Sequence, residues 1–279
     1  MTAATLPTIA IVGATGAVGE VALELVAKHF GPKVKVHALA SETSVGREVS
    51  FGRRSVVVDD VAGFDFQGCD FAVFSAGRDV SLRYAPIAAQ AGAVVIDNTS
   101  AFRLDPDVPL VVPEVNGHLL DSFEGSVIAN PNCSTIQMCV ALAPIYRHFG
   151  LGSVVVSTYQ SVSGAGRLAM EELGRQAMDR FNFKEPKPTV FDQPIGFNVL
   201  AQIGAFDEAG FSEEEMKMHH ETQRIFDDPA MVVNATAVRV PVFVGHALSV
   251  WVETCQPFDL DEVRQMLNKA PGVMLTAPE

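Results

Sequence analysis

The sequence predicts an α/β protein of two domains: a doubly wound parallel sheet, followed by an α+β domain with a mainly antiparallel or mixed sheet. Two observations predict this fold. Up to residue 132, short β-prone runs alternate with stretches whose apolar residues recur at helical spacing, which is typical of βαβ units. After Cys133 the β-prone runs become longer. The expected domains are residues 1–132 and 133–279.

The composition is that of an ordinary globular protein, and it narrows the possible functions. Of 279 residues, 48% are apolar and 19% are charged, and the formal net charge is −13. This charge argues against nonspecific binding to nucleic acid and to an anionic membrane surface. The apolar runs are too short to span a bilayer, and the four cysteines have neither metal-ligand nor disulfide-framework spacing. Without a recognisable signal peptide, we expect a reducing cytoplasm.

A glycine-rich loop at residues 13–19 follows the first predicted strand, residues 6–12, and precedes a helical pattern that ends near Gly31. The loop reads G-A-T-G-A-V-G. Between a strand and a helix, such glycines let the backbone approach a pyrophosphate, whose charge meets the helix N-terminus. The pattern therefore indicates a Rossmann-type dinucleotide-binding domain. The alternative is a tight turn that binds no ligand.

A polar loop at residues 41–47 follows the second predicted strand, residues 34–39. This is where a Rossmann unit recognises the adenine ribose. Glu42 would suit a ribose 2′-hydroxyl. The side chains that would suit a 2′-phosphate are Ser41, Thr43, Ser44 and Arg47. The loop alone leaves both NAD and NADP open.

Further strands are predicted at residues 56–58, 71–74 and 93–96, with a helix at residues 80–91. The strand at 71–74 ends in Ser-Ala-Gly, small residues that are expected where a cofactor crosses the sheet edge. The strand at 93–96 leads through a polar turn to Arg103. An arginine there could bind a phosphate or carboxylate bidentately, although the local sequence favours a solvated arginine.

A cysteine stands where the pattern changes, in the hexapeptide Asn-Pro-Asn-Cys-Ser-Thr at residues 130–135. A β-prone run precedes it, and apolar residues at helical spacing follow it. Cys133 is therefore expected at a helix N-terminus, where unpaired N–H groups and the helix dipole stabilise a thiolate. A nucleophile is one interpretation, and a small buried residue beside a turn is the other.

The second half of the chain carries polar residues at the ends of its predicted elements. The strands are expected at residues 153–160, 232–240 and 247–254, and the helices at residues 167–181, 212–226 and 259–267. Glu214 and Lys217 share a helix face, where a solvated ion pair is the usual outcome. Gln160 ends a strand as a neutral donor and acceptor. His246 follows Arg239 by seven residues and could be the acid–base partner that a nucleophilic Cys133 requires.

Taken in order, these motifs resemble those of the aspartate-β-semialdehyde dehydrogenases along essentially the whole chain. The segments that carry the resemblance are residues 13–19, 75–77, 97–103, 112–116, 130–135, 160–166, 214–217 and 239–246. The resemblance implies NADPH-dependent reductive dephosphorylation of L-aspartyl 4-phosphate to L-aspartate 4-semialdehyde, through an acyl-thioester. It also implies a role in lysine, threonine, methionine and diaminopimelate biosynthesis, with inorganic phosphate as co-substrate of the reverse reaction.

The resemblance also implies roles for individual residues, and a homodimer or tetramer built through the second domain. The catalytic residues would be Cys133 as nucleophile, His246 as acid–base group and Gln160 as the residue that orients the acyl carbonyl. The substrate-binding residues would be Arg103 and Lys217 for phosphate, Arg239 for carboxylate, Glu214 for the amino group, and Asn132. The NADP-binding residues would be Gly13, Thr15, Gly16, Ala17, Val18, Ser41, Thr43, Ser44, Ser75, Gly77, Ser163 and Gly164.

Two departures from the family pattern accompany this resemblance. Many NADP-using members carry an arginine where this chain has Thr43, so that Arg47 would have to replace it. Members usually also continue beyond the position of Glu279, through a segment that contacts the nicotinamide and covers the cofactor-domain sheet. Two alternatives remain: an N-acetyl-γ-glutamyl-phosphate reductase, with the same chemistry, and a non-catalytic paralogue that only dimerises.

Overall fold

The computed structural model describes residues 6–276, which form two compact units. The first unit runs to Val111 and includes Leu119–Pro131, and the second comprises Val112–His118 and the residues from Asn132 onward. The predicted boundary between residues 132 and 133 places Val112–His118 in the first domain, whereas the contacts of this segment place it in the second unit.

The segment Val112–His118 joins the second unit through a long side chain. Arg147 donates hydrogen bonds to the carbonyl oxygens of Glu114 and Val115, at 3.2 and 2.6 Å. The residues that make this contact lie more than 30 positions apart, so a local sequence pattern does not predict it.

Within its described residues, the first unit contains a seven-stranded sheet. The strands are β1 (Thr8–Val12), β2 (Lys35–Ala40), β3 (Glu48–Phe51), β4 (Arg54–Asp60), β5 (Phe71–Phe74), β6 (Val94–Asp97) and β7 (Val127–Ala129). The helices are α1 (Ala17–Phe30) and α2 (Arg78–Gln90). The strand order is β3-β4-β2-β1-β5-β6-β7, and neighbours are parallel except β3 and β4. The predicted parallel α/β sheet is confirmed.

Apolar residues of β1 pack on both faces of this sheet. Ala10 and Val12 belong to one buried cluster with residues of α2, whereas Ile9 and Ile11 belong to another with Leu23 of α1. Helices therefore cover opposite faces, which explains why residues 9–12 of the strand are all apolar rather than alternating. This is the doubly wound arrangement that the sequence predicts.

The second unit is built on a three-stranded mixed sheet in its described part. Its strands are β8 (Leu151–Gln160), β9 (Val232–Arg239) and β10 (His246–Thr254). Its helices are α3 (Pro113–Asn116), α4 (Cys133–Phe149), α5 (Arg167–Phe181), α6 (Glu213–Phe226) and α7 (Leu260–Lys269). The central strand β8 is parallel to β9 and antiparallel to β10, which confirms the predicted mixed sheet. Residues of α4 and α6, among them Met138 and Met218, bury one face of it.

The helices of residues 6–276 are all too short or too polar to cross a lipid bilayer.

Candidate active site

Cys133 is the first residue of α4, and its side chain is exposed. Asn132 is the N-cap: its Oδ1 accepts hydrogen bonds from the backbone N–H groups of Ser134 and Thr135, at 2.9 and 3.3 Å. Among the described residues of the first helical turn, none is acidic. The positive end of the helix dipole therefore acts on the sulfur without an opposing carboxylate in that turn. The alternative interpretation of Cys133 as a buried structural residue is wrong.

His246 lies next to this sulfur. Its Nε2 is 3.2 Å from Sγ of Cys133. On the other side of the ring, the backbone N–H of Ser161 donates to Nδ1 at 3.1 Å, and Oγ of Ser161 lies 3.2 Å from the same nitrogen. Because Nδ1 accepts the Ser161 N–H, the neutral ring carries its proton on Nε2, directed at the sulfur.

The surroundings of His246 favour this neutral form. Burial lowers the pKa of the ring, and the positive charge of Arg239 lowers it further, whereas the Gly245 backbone and the Glu214 carboxylate raise it. The net effect is a pKa below the ordinary value of 6.5. His246 is therefore a hydrogen-bond donor to sulfur at neutral pH.

The register of the second sheet brings three predicted site residues to one edge. Gln160 ends β8 and pairs with Arg239, the last residue of the parallel strand β9, and with His246, the first residue of the antiparallel strand β10. The Gln160 side chain is buried, and its Nε2 donates to Oγ1 of Thr158 at 3.2 Å. Residues 86 positions apart in sequence thus become neighbours through strand pairing.

Arg239 is buried, and its Nη1 donates to the carbonyl oxygen of Ser161 at 2.8 Å. Burial lowers the pKa of its guanidinium, while the negative charges of Glu214 and Cys133 raise it. Gly164 lies against the same group: a Cβ there would be 3.0 Å from Nη1 of Arg239 and 3.7 Å from Nε2 of His246. A side chain at position 164 would therefore crowd both residues.

The helix α6 brings Glu214 and Lys217 to Asn132. Oε1 of Glu214 accepts a hydrogen bond from Nδ2 of Asn132 at 2.8 Å, and its Oε2 is 3.6 Å from Nζ of Lys217. The Lys217 side chain is one-third exposed, whereas Glu214 is buried. The interpretation of these two residues as a solvated ion pair is therefore wrong for Glu214.

Arg103 belongs to the first unit, unlike the other predicted substrate-binding residues. Its Nε donates to the carbonyl oxygen of Asn130 and its Nη2 to that of Asn98, both at 3.0 Å. The side chain is buried, so the solvated arginine that the local sequence favours is wrong. The guanidinium joins the loops that follow β6 and β7.

The predicted cofactor residues of the first unit lie at the carboxyl ends of β1, β2 and β5, in the segments that follow these strands and in the first turn of α1. Gly13 follows β1 with a φ of +92°, and a Cβ there would lie 2.9 Å from the backbone N of Ala76. At Gly19, in the first turns of α1, a Cβ would lie 2.1 Å from the carbonyl oxygen of Gly13. These two positions require glycine because backbone packs directly on them.

The loops after β1 and β5 meet where the strand order reverses. The strand β1 has β2 on one side and β5 on the other, which is the topological switch point where ligands bind in such sheets. Each loop leads into a helix, α1 or α2, whose N-cap is a glycine. The residues predicted to contact the cofactor here are Thr15, Gly16, Ala17, Val18, Ser75 and Gly77.

This arrangement fits a dinucleotide. Glycine N-caps bring no side chain over the first turn of either helix, so the N–H groups there can approach a phosphate. In the loop after β2, Oγ of Ser41 lies 3.0 Å from Oγ1 of Thr43, and Ser44 is buried. Ser163 and Gly164 lie in the second unit, in the loop after β8.

Two residues for which the sequence predicts no role contact the site residues in the structure. Ser161 contacts two of the predicted site residues: its backbone N–H donates a hydrogen bond to Nδ1 of His246, and its carbonyl oxygen accepts one from Nη1 of Arg239. Glu221 accepts a hydrogen bond from the backbone N–H of Asn132 at 2.6 Å. The sequence contains one indication of a role for Glu221: it follows Glu214 by two helical turns and therefore lies on the same face of the helix.

No group of His, Cys, Asp or Glu side chains in residues 6–276 is arranged to hold a metal ion.

Two family models match the chain. The semialdehyde dehydrogenase NAD-binding domain covers residues 8–123, and the semialdehyde dehydrogenase dimerisation domain covers residues 142–279.

Individual proteins of this family are similar over nearly the whole chain. An aspartate-semialdehyde dehydrogenase of Shewanella sp. (strain DB6705) is 50% identical over 96% of this chain and 79% of its own length. The crystal structure of aspartate semialdehyde dehydrogenase II from Vibrio cholerae, complexed with ASA, is 48% identical and superimposes with a TM-score of 0.95. It covers 98% of this chain and 82% of that one.

A more distant structure extends the similarity. The aspartate semialdehyde dehydrogenase from Candida albicans, solved with NADP, is 25% identical with a TM-score of 0.73, over 95% of this chain and 76% of that one. The sequence relatives, the two domain models and the shared fold agree. The chain belongs to the aspartate-semialdehyde dehydrogenase family.

Proposed function

We propose that this enzyme converts L-aspartyl 4-phosphate to L-aspartate 4-semialdehyde with NADPH, reversibly, through a thioester on Cys133. The observation that carries the proposal is the 3.2 Å contact between Sγ of Cys133 and Nε2 of His246 at the N-terminus of α4. Such a reaction would serve lysine, threonine, methionine and diaminopimelate biosynthesis. A cytoplasmic setting suits it, because none of the four cysteines forms a disulfide in residues 6–276.

In the first step, the Cys133 thiolate attacks the acyl carbon of L-aspartyl 4-phosphate. A C–S bond forms, the C–O bond to phosphate breaks, and inorganic phosphate leaves with the electron pair. The helix N-terminus and Nε2–H of His246 stabilise the thiolate before attack. Gln160 is the amide that orients the acyl carbonyl from the edge of β8.

In the second step, the thioester is reduced. When bound, the nicotinamide cofactor supplies a hydride to the carbonyl carbon of the thioester. Release of the aldehyde would then break the C–S bond and return its electron pair to the sulfur of Cys133. Nε2–H of His246, which faces the sulfur, stabilises the departing thiolate.

We assign recognition of the substrate to side chains whose charge is opposite to that of the group they bind. Arg239 binds the α-carboxylate, because a buried guanidinium is suited to bidentate contact. Glu214 binds the α-amino group, and Asn132 supports it from the turn before the nucleophile. Lys217 and Arg103 bind the phosphate. An acidic protein binds an anionic substrate in this way through a few local cations.

The cofactor that we assign is NADP. The helix N-termini at Gly16 and Gly77 would hold the pyrophosphate, and the hydroxyls of Ser41 and Thr43 would bind the adenosine 2′-phosphate together with Arg47. The Candida albicans relative solved with NADP supports this choice. Ser163 and Gly164 are assigned to the nicotinamide half of the cofactor.

The second unit also offers a surface for a second copy of the chain. One face of its sheet presents exposed apolar side chains: Val155 and Trp251, which pair across β8 and β10, and Tyr159 and Val232. Exposed apolar patches of this kind mark interaction sites. Because the matching family model is a dimerisation domain, we assign this face to a homodimer.

The first prediction concerns the nucleophile. Cys133→Ala is expected to abolish phosphate-dependent reduction of NADP by L-aspartate 4-semialdehyde, because no neighbouring group can form the thioester. Cys139→Ala and Cys255→Ala should retain wild-type kcat. Cys139 is buried with a pKa raised to about 12 by that burial, so its thiol is unreactive.

The same assay decides between the proposed function and its alternatives. Activity with N-acetylglutamate semialdehyde alone would assign the chain to the related reductase. Unchanged turnover in Cys133→Ala would overturn the nucleophile, and absence of wild-type activity with either aldehyde would favour a non-catalytic paralogue.

The second prediction concerns pH. Nuclear magnetic resonance titration of His246, identified by its missing signal in His246→Asn, should give a pKa below 6.5, because burial disfavours the charged ring. Since the folded pKa lies below the unfolded one, the stability that neutral His246 provides is present above pH 6.5 and is lost as pH falls through the folded pKa. A pKa above 6.5 would instead indicate a thiolate–imidazolium pair.

The third prediction concerns the assembly. Trp251→Lys should convert the dimer to a monomer in sedimentation equilibrium, because it would bury an unpaired charge in the apolar face. Leu82→Lys, at an exposed leucine of α2, is the matched control and should leave the dimer intact. A dimer that survives Trp251→Lys would exclude this face as the interface.

A further inference from the structure

Glu221 is a carboxylate of α6 that the proposed reaction does not use. It is 1% exposed. An ionised carboxylate at such a site is costly unless hydrogen bonds compensate for the lost water. We therefore looked for the groups that donate hydrogen bonds to this carboxylate.

The group that Glu221 holds is the backbone next to the nucleophile. Its Oε2 accepts from the N–H of Asn132 at 2.6 Å, across 89 positions of sequence. Glu214, two helical turns earlier on the same face of α6, accepts from Nδ2 of Asn132 at 2.8 Å. The helix α6 thus contacts Asn132 at both its backbone and its side chain.

Asn132 passes this constraint to the catalytic helix. Its Oδ1 accepts from the N–H groups of Ser134 and Thr135, and Cys133 lies between the cap and these residues. With the backbone N–H and the side-chain amide of Asn132 both held, the direction in which Cys133 leaves the turn is set.

The charge of Glu221 does not itself activate the nucleophile. A nearby carboxylate raises the pKa of a thiol, as that of Glu221 does for Cys139, which is opposite to what thiolate formation requires. Its contribution is geometric. We propose that Glu221 is a positioning residue, which orients the turn that carries Cys133 by holding the backbone N–H of Asn132.

The proposal rests on the proposed function, and two variants test it by separating acceptor from charge. Glu221→Gln loses the charge but keeps an acceptor oxygen, whereas Glu221→Met keeps the volume and loses the acceptor. We expect Glu221→Met to lower kcat by about 10- to 100-fold, the cost of misplacing a reacting group by a fraction of an ångström to about 1 Å. The KM for L-aspartate 4-semialdehyde should change little, and Glu221→Gln should recover most of the loss.

Glu215→Met is the matched control on the same helix. The Glu215 carboxylate accepts from the N–H groups of Ser212 and Ala237, at 2.7 and 3.0 Å, and these bonds do not involve Asn132. This variant should lower the melting temperature and leave kcat per folded enzyme unchanged. If Glu221→Met does not fold, Glu221→Asp replaces it, because the shorter side chain withdraws the carboxylate from Asn132.

Wild-type kcat in Glu221→Met, a loss confined to KM, or equal losses in the Met and Gln variants would each overturn the proposal. Alkylation of Cys133 by iodoacetamide provides a readout that needs no substrate. If the wild type lacks the proposed activity but alkylation still differs between the Met and Gln variants, the proposed function fails and the positioning role stands. Equal alkylation of both variants contradicts the positioning role itself.

Discussion

The position of Cys133 in the second unit depends on the turn at Asn132. This residue caps α4 with its Oδ1, donates its amide to Glu214, and has its backbone N–H held by Glu221. Asn132 therefore links Cys133, the proposed nucleophile on α4, to the helix α6, which also carries the candidate residue for the substrate amino group. A shift of this turn would move the sulfur relative to His246 and to the residues assigned to the substrate.

The other half of the site depends on strand pairing. Gln160, Arg239 and His246 lie at the ends of three strands, and the mixed register of the sheet makes them neighbours. Strand pairing fixes the backbone of His246, and Ser161 holds Nδ1 of its ring so that Nε2 faces the sulfur. The site is thus assembled from one helix N-terminus, set by side-chain hydrogen bonds to backbone N–H groups, and one sheet edge, set by strand pairing.

Local signals in the sequence predict most of the strands and helices, because each is a periodic run bounded by glycine, proline or polar turns. The strand β3 escapes prediction, since four residues with alternating burial acquire their structure only by pairing with β4. The N-cap before Cys133 is local and predictable. The burial of Arg103 and Glu214 is not, because it depends on partners at Asn130 and Asn132, and isolated polar side chains favour solvent.

The proposed mechanism requires the sulfur of Cys133 to form the covalent intermediate. The most direct measurement is to mix the enzyme with L-aspartyl 4-phosphate in the absence of cofactor, quench in acid, and analyse the peptides by mass spectrometry. The geometry predicts an aspartyl adduct on the peptide that contains Cys133, together with one equivalent of released phosphate. An adduct on another residue, or phosphate release by active enzyme with no adduct at Cys133, would contradict the account.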